Sequence, residues 1–107
     1  MKFYYVSVQI KGFDPSKVLM IKQAVSQVCP FNNWYVPSAT KDGLVLEASC
    51  DTIVNAPNEK SSKEAAHELA REMAFKAWEA NGGYCGVHVG ATCLSDSPDF
   101  EFDITKQ

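Results

Sequence analysis

The chain has 107 residues, 46% hydrophobic and 21% charged, a balance that suits one globular domain with its own core. Its net charge is -3, its isoelectric point is about 5.3, and its ten lysines and arginines are scattered along the chain. That speaks against direct nucleic-acid binding, which needs a concentrated basic field, and no stretch approaches the ~20 apolar residues of a membrane span.

Along the first segment, Tyr4, Val6, Val8 and Ile10 alternate with Phe3, Tyr5, Ser7, Gln9 and Lys11. This is the pattern of a half-buried strand. Its polar residues and the lack of a small-residue cleavage site argue against a signal peptide, so a cytoplasmic location is expected. Gly12 breaks the strand. Asp14-Pro15 then marks a helix start, with Asp14 as N-cap and Pro15 at the first helical position. Val18, Ile21, Val25 and Val28 fall at helical spacing, and Pro30 stops the helix just after Cys29.

The segment from Trp34 to Ala39 is short and β-prone, and Pro37 marks it as an edge strand or a bulge. Lys41-Asp42-Gly43 is a hairpin turn, leading into a second alternating strand with Leu44, Leu46, Ala48 and Cys50 on one side. Residues 55 to 61 read as a loop. Ser61 and Glu64 form a capping box for a long helix that ends at Asn81, before the left-handed cap expected at Gly82-Gly83. A third alternating strand carries Val87, Val89, Ala91 and Cys93. Residues 95 to 99 turn, and Phe100, Phe102 and Ile104 alternate in a last strand.

The predicted order is β-α-β-β-α-β-β in a single domain over residues 1–107. One-sided helices and half-buried strands suit a two-layer α+β sandwich, with both helices on one face of an antiparallel sheet. Over residues 2 to 94 the order resembles the ferredoxin-like split arrangement, with an extra C-terminal strand. That resemblance is one of architecture, and such folds host many unrelated activities.

Several chemistries are disfavoured. Cys29, Cys50, Cys85 and Cys93 contain no C-x-x-C pair. Cys85 and Cys93 lie about 26 Å apart if in one strand, too far for a shared metal or a disulfide. Four reduced, mostly buried thiols are expected. His67-Glu68 opens an H-E-x-x-H zinc motif, but Arg71 occupies the place of the second histidine. The glycines at 82, 83, 86 and 90 do not form a phosphate-binding loop between a strand and a helix. No metal, cofactor or catalytic residue is assigned.

Two surfaces remain. Phe3, Tyr5 and His88 fall on the sheet face away from the helices, with Tyr35 beside them if Trp34 faces inward. On the long helix, Ala66, Leu69, Ala70, Met73 and Ala77 form the apolar stripe. Glu68, Glu72 and Glu79 form the opposite side, with Arg71 and Phe75 among them and Trp78 at the boundary. A phenylalanine there is either covered by the 52–61 loop or the last strand, or it anchors a partner.

The leading expectation is therefore a small acidic protein-binding module or inhibitor without catalytic activity, using Phe75, Trp78, Glu68, Glu72, Glu79 and Arg71 against a basic protein surface. Small acidic α+β proteins that block nucleic-acid-handling machinery act in this manner, and an inhibitor encoded by a phage or mobile element is one version. The alternative is a ferredoxin-like homodimer that binds or transforms a small molecule on a sheet face lined by Phe3, Tyr5, Tyr35 and His88.

Overall fold

The computed structural model describes residues 2–31, 34, 45–54, 62–93 and 100–105. Its sheet is organised around strand β1 (Lys2–Lys11), whose alternation puts Tyr4, Val6, Val8 and Ile10 on one face, each almost fully buried. Strands β2 (Val45–Val54) and β3 (Gly86–Cys93) flank it, and β4 (Phe100–Ile104) pairs with β3. The order is β2-β1-β3-β4, antiparallel throughout.

The register sets side chains in rows across the sheet. Leu46, Ile10, Val87 and Ile104 form one inner row; Ala48, Val8, Val89 and Phe102 form the next. Leu46, Ile10, Val87, Val8 and Val89 are fully buried there, and each such side chain contributes about 1.5–3 kcal/mol, while Phe102 and Ile104 at the β4 end are half-buried. Tyr4 joins these rows and stacks on Phe100, with ring centroids 6.1 Å apart.

Two helices cover this face. Asp14 caps a single 3-10 turn (Pro15–Lys17), its carboxylate accepting from the Ser16 N–H and hydroxyl at 2.9 Å each. Helix α1 (Val18–Ser26) follows and buries Ile21 and Val25, with Cys29 buried just beyond it. The Asp14-Pro15 signal thus starts a turn first, and α geometry begins three residues later. Helix α2 (Ser62–Asn81) buries Ala66, Ala70, Met73, Ala74, Ala77 and Trp78. Its alanines allow close approach to the sheet. Gly82, at φ +78°, caps it, and the N–H groups of Gly82 and Gly83 donate to the Trp78 carbonyl at 2.9 and 3.1 Å. Asn81 Oδ1 accepts from the Asp14 N–H at 2.8 Å, tying the end of α2 to the start of the first helical segment.

These elements make an α+β fold with two helices and a four-stranded antiparallel sheet. β2 is longer than its apolar alternation alone indicates, because its pairing with β1 continues from Lys11↔Val45 to Lys2↔Val54. The strand expected over 34–39 lies outside the described residues except for Trp34, as do the 41–43 turn, the 55–61 loop, Ser61 of the capping box and the 95–99 turn. Trp34 is half-buried, and its Nε1–H donates to Ser26 Oγ at 3.1 Å. Among the described residues, no helix is long and apolar enough to cross a membrane.

Candidate functional site

The flank of α2 meets the sheet edge beside β4. His67, Arg71, Phe75 and Trp78 recur at spacings of four, four and three, one line along a helix. This line overhangs the end of β4. Between them lies an open cleft of about 330 Å³, lined by His67, Arg71, Phe75, Trp78, Asp103, Ile104 and Thr105. His67 is exposed, yet its ring stacks on Phe102 at 4.9 Å, which ties helix and strand together at the cleft.

Phe75 is 36% exposed and is held from two sides. Its ring packs edge-on against Trp78 at 5.6 Å, and the Arg71 guanidinium lies 5.6 Å from its centroid. A second shallow concavity of about 340 Å³ is formed by Phe75 with Glu68, Arg71 and Glu72. Phe75 thus stands between two adjoining depressions, one bounded by the edge strand and one by carboxylates.

Trp78 is 7% exposed, not a boundary residue. Helix periodicity places it at the rim, but the end of α2 sinks into the turn toward β3. There the indole N–H donates to the Cys85 carbonyl at 2.7 Å, and Tyr84 packs edge-on at 4.9 Å. Trp78 is accordingly the floor beneath Phe75. Glu79 lies elsewhere, in a groove between α1 and α2 with Met20, Gln23 and Lys76. Of the six residues expected to act together on α2, the structure brings Phe75, Arg71, Glu68 and Glu72 into one surface, sets Trp78 below it and separates Glu79.

The open sheet face is mainly polar among the described side chains. Tyr5 is exposed, and its hydroxyl donates to Ser49 Oγ at 2.7 Å. Gln9 donates to Glu47 at 2.6 Å. His88 Nδ1 lies 2.6 Å from Asp103 Oδ1, and Nε2 lies 3.5 Å from Glu101 Oε1. An ionised carboxylate only accepts, so Nδ1 carries the shared hydrogen. His88 is aligned with Gln9, four residues along β1 from Tyr5 and one strand across, so the two candidate residues stand about 14 Å apart. The Phe3 side chain and Tyr35 lie outside the described residues.

Cys29, Cys50 and Cys85 are reduced thiols, outside any disulfide. Burial pushes the Cys85 thiol up to about 11. Burial also raises Cys50, with the Asp51 charge adding to it and a hydrogen bond with Cys29 opposing it. Raised thiols are poor nucleophiles at neutral pH. Among the described residues, no group of three or more His, Cys, Asp and Glu side chains is placed to hold a metal ion.

The site residues missed in the sequence are those at the end of β4 and just beyond it: Asp103, Ile104 and Thr105. Their alternation shows which way each faces, but nothing local shows that this strand forms the edge beside α2. Compared with known proteins, the chain matches no family model, no curated protein and no solved structure at a significant level.

Proposed function

We propose that this chain is a small protein-binding module, without catalytic activity of its own, that engages a basic protein surface through Phe75 and the carboxylates around it. One observation carries the reading. Phe75 is an exposed aromatic side chain whose position is preset by Trp78 and Arg71, with Glu68 and Glu72 beside it. A rigid aromatic anchor loses little conformational entropy on binding, and surrounding carboxylates speed encounter with a basic partner. A cytoplasmic setting and an inhibitory role belong to the same proposal.

The test compares wild type with Phe75→Asp as baits in quantitative affinity purification from the native host. The reading expects one partner retained by wild type, released by salt and lost from the variant, with circular dichroism unchanged. Equal retention by the folded variant refutes it.

A second reading keeps the ferredoxin-like homodimer. It draws support from the placement of β1 between β2 and β3, and from a shallow depression of about 200 Å³ on the open face that includes Tyr5, Ser7, Gln9, Glu47 and Ser49. Light scattering after gel filtration discriminates: a strict monomer at micromolar concentration counts against it.

A further inference from the structure

We infer that the open edge of β4 accepts an extended basic peptide segment as an added strand, running beneath the Phe75 flank of α2. This rests on the binding-module reading and names the form its partner takes.

β4 is the last strand in the order β2-β1-β3-β4, and among the described residues it pairs only with β3. A strand paired on one side presents backbone N–H and C=O groups on the other, which are satisfied by another extended chain. Five residues give an edge of about 16 Å. What distinguishes this edge is the cleft above it, walled by His67, Arg71 and Phe75. An added strand sends alternate side chains toward α2 and the rest toward the open sheet face. The first set enters the cleft against Phe75 and calls for apolar or aromatic groups. The second lies beside Glu101 and Asp103, whose side chains are 76% and 79% exposed.

The charges choose the occupant. A second copy of this chain pairing antiparallel through β4 puts Glu101 opposite Asp103 when centred on Phe102. Shifting by one face-matched step puts Glu101 opposite Glu101, or Asp103 opposite Asp103. Like charges directly opposed destabilise a strand pair, so the registers with the largest overlap disfavour self-pairing. His88 supplies at most one positive charge behind these two carboxylates; Arg71 adds one at the wall of the cleft, and Glu68 and Glu72 border the adjoining depression on the far side of Phe75. Lysine or arginine at the outward positions of the incoming strand meets this arrangement.

The probe is a fluorescein-labelled seven-residue peptide alternating lysine and valine, with phenylalanine at the central inward position, titrated by anisotropy into the full chain. Two further peptides carry N-methyl groups on alternate backbone nitrogens, in opposite phases. A strand donates to its neighbour from every second N–H, so one phase is expected to bind at least tenfold more weakly and the other unchanged. Replacing the lysines by glutamate, or Phe75 by aspartate with the amide spectrum still folded, is expected to weaken binding at least tenfold.

No binding of the parent peptide at millimolar concentration overturns the inference, and β4's carboxylates then serve only to guard its edge. Equal binding of both N-methylated peptides also overturns strand addition. If Phe75→Asp still abolishes binding in that case, the Phe75 patch survives without the edge. If one phase fails but Phe75→Asp binds normally, the edge survives and the patch does not.

Discussion

Replacing Trp78 with phenylalanine separates the floor of the site from its exposed anchor. The indole N–H donates to the Cys85 carbonyl at 2.7 Å in a buried setting. Phenylalanine has no donor, and a stranded buried acceptor costs about 1–3 kcal/mol. The smaller ring also loses part of two edge-on contacts, with Phe75 at 5.6 Å and Tyr84 at 4.9 Å. Such pairs are worth about 0.5–1.5 kcal/mol each beyond their buried area. Together the expected loss is about 2–4 kcal/mol, a fall of roughly 10 °C or more in the unfolding midpoint of a domain this size. Urea denaturation at constant m-value measures it. Phe75→Asp is the comparison: it removes the edge-on contact with Trp78 and the Arg71 contact but strands no buried acceptor, so its expected loss is smaller, about 1–2 kcal/mol. A Trp78→Phe loss below about 0.5 kcal/mol would refute the reasoning, since it would mean the carbonyl reaches water and the indole bond adds little.

Gly82→Ala should lower stability by about 1–2 kcal/mol in thermal unfolding. Nothing lies within 4 Å of the added Cβ, so the whole cost is the left-handed backbone at φ +78°, and a neutral variant would show that the cap relaxes freely. Cys85 should alkylate with iodoacetamide about a hundredfold more slowly at pH 8 than an ordinary thiol, since burial pushes it from 9.0 to about 11; comparable labelling by peptide mapping would contradict that burial. Hydrogen bonds from Ser16 hold the Asp14 carboxyl below its ordinary 3.8, with the Lys17 charge adding to them. Its folded-state value is therefore depressed, so its contribution is present at higher pH and lost as pH falls through that value. The stability gap between wild type and Asp14→Asn should be constant above about pH 5 and close under more acidic conditions; a gap that widens on acidification contradicts the assignment.

Residue periodicity alone carried most of the architecture. Alternation in the first segment identified β1 and its buried face, because a strand's side chains have a period of two whatever surrounds it. The Asp14 cap and the Gly82 terminus were legible for the same reason, since both satisfy backbone groups through local geometry. The full length of β2 and the tie between the two helical segments were not, because each depends on a partner distant in sequence. Asn81 meets Asp14 across 67 positions, and β2 continues as far as β1 pairs with it.

For the candidate site, helical spacing alone determined that Phe75 departs from the apolar stripe of α2 and lies with Arg71, Glu68 and Glu72. Only the tertiary structure decided what that departure means. Trp78, one turn on, is buried because the chain folds back through Tyr84 and Cys85 to receive its indole N–H, whereas Glu79 turns toward α1. Above all, the sheet order makes β4 an edge strand beside the Phe75 flank. Strand order is set by which apolar rows share one core, and that is a property of the whole packed layer, not of any one segment.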